Sequence, residues 1–175
     1  AALVVERGAC AVLLASRSGR AARDGQGLEA RLRSVSSVAA LVACDSADAT
    51  DASALLALRS VIGLLHAAGA GDKGLLIDLT AQRVQWMYAS KAMGASHLQR
   101  AAATTAVETR VLFSSVGSGL GNVGQANYAA GNACLDAHAF SQRERGAVAC
   151  SVQWPLVGGA GTVSYTHLRA HETKK

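Results

Sequence analysis

A hydroxyl, a phenol and an amide stand close together in the stretch VLFSSVGSGLGNVGQANYAAGNACLD, from Val111 to Asp136. Val111 to Phe113 reads as a buried strand. Ser114 and Ser115 follow it, then a glycine-rich loop, and a helix is expected from about Asn127. On that helix Tyr128 and Asn132 are four positions apart and share one face, one turn from each other. Ser115 sits just past a strand end, where an open α/β sheet gathers its ligands. Delivered to one crevice, these three groups suit chemistry on a carbonyl or a hydroxyl.

The remaining elements must carry that crevice. Leu3 to Glu6 reads as the end of a helix, with Gly8 at its C-cap. Ala11 to Ala15 is an apolar run of the kind buried in parallel sheets, and it ends in the polar turn Ser16-Arg17-Ser18-Gly19. A weak helix is expected over 28–33 and a second buried strand over 38–43. Ser46 or Asp48 can cap a helix running to about Arg59. Val61 to Leu65 gives a third strand. Thr80 caps a long helical stretch from Ala81 to Ala103, which holds Lys91. A helix over 127–145 and a fifth strand, Val148 to Gln153, complete the order. Strands alternating with helices imply an α/β fold, a Rossmann-type doubly wound parallel sheet. No fixed-period repeat interrupts it.

Composition agrees with a packed domain. The chain has 175 residues, 50% hydrophobic and 17% charged, which is long enough for a core and too apolar for disorder. The formal charge of +5 includes Lys174 and Lys175, and no basic cluster interleaved with aromatics suggests nucleic acid. No apolar run has membrane-spanning length and no signal peptide is evident, so a cytoplasmic location is expected. Cys10, Cys44, Cys134 and Cys150 are scattered, as small core residues of a reducing compartment would be. A metal site is not expected. His167 and His171 are four apart but have no third ligand near them. The tail, 162–175, carries no core pattern and reads as sequence unrelated to the domain.

Several segments together resemble a known family: LLASRSGR, ACDSAD, LLHAAGAGDKGLL, ASKAMGASHL, VLFSSVGSGLGNVGQANYAAGNACLDA and SVQWPLVG. In content and order they are similar to the ketoreductase domain of modular polyketide synthases and animal-type fatty acid synthases, within the short-chain dehydrogenase/reductase superfamily. The resemblance spans residues from about 3 to 161. It implies a catalytic tetrad of Lys91, Ser115, Tyr128 and Asn132. Members of this subgroup place Asn four after Tyr and take Lys from the preceding helix, as here. It further implies reduction of a β-ketoacyl thioester on an acyl carrier protein, with NADPH as hydride source, inside a multidomain synthase. Ser115 would orient the carbonyl oxygen, which gains negative charge as hydride arrives. Tyr128 would donate the proton, and Lys91 would favour the phenolate that remains. Asn132 would hold a water or the lysine in a proton relay. Ser16, Arg17 and Ser18 would face the 2′-phosphate, which a guanidinium grips bidentately. Asp45 and Ser46 would flank the adenine, and Ala67, Ala68 and Gly69 would run beneath the cofactor.

Departures from the pattern carry expectations too. The chain starts at Ala1 rather than Met, and the family's opening strand and G-x-G-x-x-G turn have no counterpart in it. A partial domain over 1–161 is therefore expected, with unpaired strand edges, weak NADPH binding and marginal stability in the isolated chain. Gly71-Asp72-Lys73 and Leu120 match neither of the family's stereochemical markers. Gln153-Trp154-Pro155 leans toward the fatty acid type. Two alternatives remain: a non-catalytic reductase-like subdomain, and a stand-alone short-chain dehydrogenase, against which Asn132 argues.

Overall fold

The computed structural model describes residues 5–20, 30, 34 and 38–155. Its strands are β1 (Val12–Ser16), β2 (Ala39–Ala43), β3 (Gly63–His66), β4 (Thr109–Ser115) and β5 (Val148–Trp154). Its helices are α1 (Ala49–Ala57), α2 (Ala81–Tyr88), α3 (Gly94–Ala102), α4 (Gly117–Leu120) and α5 (Ala126–Glu144). A 3-10 turn, Leu76–Asp78, precedes α2. Every described strand pair is parallel, as the alternation of strand and helix requires. Expected and observed elements agree to within a residue or two at most ends. The weak helix over 28–33 and the tail, 162–175, fall outside the described residues, Ala30 excepted.

The caps fall where the side chains allow. Gly8 adopts φ 97° and its amide bonds the Val5 carbonyl, closing the first helical turn. Asp48, not Ser46, caps α1, accepting from the Thr50 and Asp51 amides at 2.7 and 3.1 Å. Thr80 caps α2 through the Arg83 amide at 3.3 Å.

Two features depart from the expected layout. The strands form two sheets: β1 with β2, and β3-β4-β5 in that order. A shared cover joins them. Leu13 and Val42 of the first sheet and Leu64 of the second pack against Cys44, Ala52, Leu55 and Leu98. Paired residues of a parallel ladder point the same way, so His66, Leu112 and Ser151 share one face. That face meets α3 and α5, where Ala95, Leu112, Leu135 and Ala139 form a second core. The opposite face has no such cover among the described residues, so the apolar runs are not buried on both sides. Leu41 is 44% exposed and Leu65 53%.

The second departure is in the stretch read as one helix from Ala81 to Ala103. Residues Ala89–Met93 form a π-helical turn between α2 and α3. Such a turn holds more residues than an α turn, so it shifts the phase of every side chain beyond it. Here it turns Lys91 inward, to 4% exposure. The helix that follows lies tight against β3 and the turn after β2. A Cβ on Gly94 would stand 2.7 Å from Ser46 Oγ and 3.2 Å from His66 Cε1, so any larger residue there would force those side chains to move.

The cysteines correct one expectation. All four are free, but only Cys44 is buried; Cys10 and Cys150 are exposed and Cys134 is half-buried. Strand alternation explains Cys150, which shares the uncovered face with Val148.

Candidate active site

The implied residues gather at the carboxyl ends of the strands. Ser16, Arg17 and Ser18 lie at the end of β1 and in the turn after it. Asp45 and Ser46 follow β2, Ala67 to Gly69 follow β3, and Ser115 ends β4. This is the edge at which open α/β sheets bind ligands.

Lys91 and Tyr128 meet directly. Lys91 Nζ stands 5.4 Å from the centroid of the Tyr128 ring, within cation–π range. No ion pair reaches this ammonium among the described residues. Burial disfavours its charge and draws its pKa down to about 8. His66, at the end of β3, is also buried, and burial together with the Lys91 charge lowers it to about 4. At neutral pH the lysine carries the charge and the histidine does not.

Asn132 is fully buried and lies one turn beyond Tyr128 on α5. Its Nδ2 donates to the Tyr128 carbonyl at 2.9 Å. Its own backbone carbonyl accepts from Ser114 Oγ at 3.2 Å, which pins α5 to the end of β4. Asn132 Oδ1 is buried and has no hydrogen-bond partner among the described residues. A buried acceptor left open costs about 1–3 kcal/mol, so this atom is set for a water or another donor.

Ser115 is half-buried. Its Oγ accepts the Gly117 amide at 3.2 Å, which uses a lone pair and leaves the hydroxyl proton free for an external oxygen. No described contact joins Ser115 to Tyr128 or Lys91. They share an edge of the sheet, and α5 connects them through Ser114 and Asn132.

The implied cofactor residues form a looser array. Arg17 and Ser18 are exposed, and the Arg17 guanidinium has no partner among the described residues. The Ser16 carbonyl accepts from Gly19 at 3.0 Å and from Cys44 at 2.9 Å, Ser16 Oγ donates to the Arg20 carbonyl at 3.1 Å, and Ser18 Oγ accepts the Arg20 amide at 3.4 Å. Those bonds set the Arg17 turn beside Asp45. Asp45 Oδ1 accepts the Ala47 amide at 3.0 Å, and the Ser46 carbonyl lies 3.3 Å from His97 Nδ1. Ala67 and Gly69 are exposed and Ala68 is half-buried. A Cβ on Gly69 would come 3.3 Å from Lys91 Nζ, so the turn after β3 passes directly over the lysine. A small-residue turn above a buried cation, with an exposed guanidinium after another strand of the same fold, fits an extended anionic dinucleotide.

Two further groupings act on the same elements. Asp72 binds Arg83 through both carboxylate oxygens, at 2.6 and 3.1 Å, and accepts Asn127 Nδ2 at 2.7 Å. Asn127 Oδ1 in turn accepts the Tyr128 amide at 2.9 Å. Asp136 lies four positions after Asn132 and accepts from Ser118, Ser151 and Gln153. The spacing Tyr128, Asn132, Asp136 marks Asp136 as part of that helix face. Nothing in the sequence marks Asp72 as the partner of Arg83.

Residues 1–159 match the family model of the KR domain. Over 163 residues the chain is 42% identical to polyketide synthase GfsA of Streptomyces halstedii, covering 91% of this chain and 2% of that protein. To 6-methylsalicylic acid synthase of Aspergillus terreus it is 41% identical over 111 residues, which is 63% of this chain and 6% of that protein. Among solved structures, A-type ketoreductases from a modular polyketide synthase superpose with a TM-score of 0.85 at 33% identity, over 97% of this chain and 37% of theirs. A short-chain dehydrogenase from Streptomyces avermitilis, 19% identical with a TM-score of 0.69, shares the fold. The chain thus spans a small part of these synthases and well under half of the ketoreductase structure. Matched along nearly its whole length in sequence and in structure, it belongs to the KR domain family, the ketoreductases of polyketide synthases, built on the short-chain dehydrogenase fold.

Proposed function

We propose that this chain forms part of a reductase that converts a β-ketoacyl thioester, carried on the phosphopantetheine arm of an acyl carrier protein, to the β-hydroxyacyl form within a multidomain polyketide synthase. The observation that carries the reading is the buried Lys91 ammonium against the Tyr128 ring.

The cofactor assigned is NADPH. Arg17, Ser16 and Ser18 would hold its 2′-phosphate, Asp45 and Ser46 its adenine, and Ala67 to Gly69 would lie beneath it. A carboxylate in place of Arg17 would favour a free 2′-hydroxyl instead. When bound, NADPH supplies the hydride that reduces the keto carbon.

The chain's own residues manage the oxygen and its proton. Ser115 donates its free hydroxyl proton as a hydrogen bond to the keto oxygen and fixes the carbonyl plane. Tyr128 transfers its phenolic proton to that oxygen as it becomes an alkoxide. The charged Lys91 stabilises the phenolate left behind. Asn132 Oδ1 holds a water through which the phenol regains a proton from solvent.

The test is direct. The purified full polypeptide, given NADPH and a β-ketoacyl thioester mimic, should yield equimolar NADP⁺ and β-hydroxyacyl thioester. Failure to consume NADPH, or equal use of NADH, would count against the assignment.

A further inference from the structure

Ser115 lies at a strand end and Tyr128 and Asn132 lie on a helix, so the site depends on how firmly β4 and α5 are locked together. Asp136 stands where that lock closes. Its Oδ2 accepts Ser118 Oγ at 2.6 Å and Gln153 Nε2 at 2.8 Å, and its Oδ1 accepts Ser151 Oγ at 2.5 Å. Burial alone would raise this carboxyl's pKa, but the hydrogen bonds from Ser118, Ser151 and Gln153 outweigh it and hold it below the usual carboxylate range. No cation pairs with it among the described residues. Hydroxyl and amide donors stabilise this half-buried carboxylate, and each of these bonds is charge-assisted.

The bonds lead to different places. Ser151 and Gln153 belong to β5. Ser118 belongs to α4, the short turn wrapped around Ser115. Ser118 Oγ also lies 2.9 Å from the Ser115 carbonyl and itself accepts from Gln153 Nε2 at 2.9 Å. The same turn supplies the Gly117 amide that donates to Ser115 Oγ. We propose that Asp136 is a positioning residue for Ser115: through Ser118 it holds the Gly117 amide on the Ser115 hydroxyl and keeps that hydroxyl's proton aimed at the substrate oxygen. The effect on turnover rests on the ketoreductase reading above; the geometry does not.

The arms of the carboxylate separate positioning from general stability. In the full polypeptide, Asp136→Asn and Ser118→Ala should each lower kcat by roughly 10- to 100-fold with KM and NADPH affinity unchanged. Ser118→Thr, which keeps the hydroxyl, should restore kcat. Ser151→Ala removes a bond of similar length to the same carboxylate and should leave kcat within about twofold. Amide exchange at Gly117 should quicken in Asp136→Asn and Ser118→Ala but not in Ser151→Ala. Normal kcat and Gly117 protection in Ser118→Ala would overturn the proposal, as would an equal loss in Ser151→Ala. If Asp136→Asn fails to fold, Ser118→Ala decides alone. If the unsubstituted protein does not reduce the thioester, the functional reading falls, and Gly117 exchange still decides the positioning claim.

Discussion

Lys91 and Arg17 are two cations assigned to one site, and they stand in opposite surroundings. Lys91 is 4% exposed, placed by a π-helical turn and covered by the turn after β3. Arg17 is exposed on a short turn held by the Ser16 carbonyl and by the Ser16 and Ser18 hydroxyls. The region around Lys91 is tied together by Asn132, Ser114, Asp136 and the Asp72–Arg83–Asn127 chain. Around Arg17 the described contacts are those of a single tight turn. A group that must act on a proton needs fixed geometry and low dielectric, whereas one that grips a phosphate needs charge and reach. The difference predicts that loss of the Lys91 charge alters chemistry and stability together, while loss of the Arg17 charge alters affinity alone.

The largest expected effect comes from Lys91→Met. Removing the ammonium should lower kcat by roughly 10²–10⁴-fold. It should also raise the thermal midpoint, because the folded state no longer holds an unpaired desolvated charge. The pH dependence follows from the same shift. The folded pKa of about 8 lies below the ordinary 10.5, so between these values the unfolded chain binds more protons than the folded one. Stability should therefore rise as pH climbs from about 8 to 10.5, by an amount on the order of a few kcal/mol. Turnover should fall over the same range as the cation is lost. Parallel pH–rate and pH–melting curves check this; slopes of the same sign would break the contrast.

Next in size is Leu135→Ala. Leu135 is fully buried between Leu112, Ala95 and Ala139 and carries the helix that bears Tyr128. Its truncation should cost about 2–5 kcal/mol in denaturant unfolding. A loss below about 1 kcal/mol would show that α5 is not held by this core.

The smallest effect belongs to Arg17→Ala. NADPH KM should rise about tenfold, equivalent to one charge-assisted contact, with kcat at saturation unchanged and stability within about 0.5 kcal/mol. An unaltered preference for NADPH over NADH would remove Arg17 from the 2′-phosphate site.

Much of this arrangement was legible in the sequence because it depends on period and order. Strand–helix alternation located the five described strands, and the i, i+4 spacing put Tyr128 and Asn132 on one face. What could not be read depends on tertiary contact. The π turn at Ala89–Met93 has no periodic signature, so Lys91 reads as a residue of an ordinary helix. The split into two sheets follows from which strands pair, which apolar runs do not encode. Asp72 lies 11 positions from Arg83 and 55 from Asn127, too far for any local rule to connect them. Cys10 and Cys150 read as core residues because their type favours burial, yet their positions in the fold put them in solvent.

One substitution addresses the role of Tyr128 most directly. Tyr128→Phe keeps the ring against Lys91 and removes only the proton donor. NADPH titration and turnover, measured on the same preparation of the full polypeptide, should show unchanged cofactor affinity and an unchanged melting point, with kcat reduced by roughly 10²–10⁴-fold. Turnover within a few-fold of the unsubstituted protein would contradict Tyr128 as the proton donor.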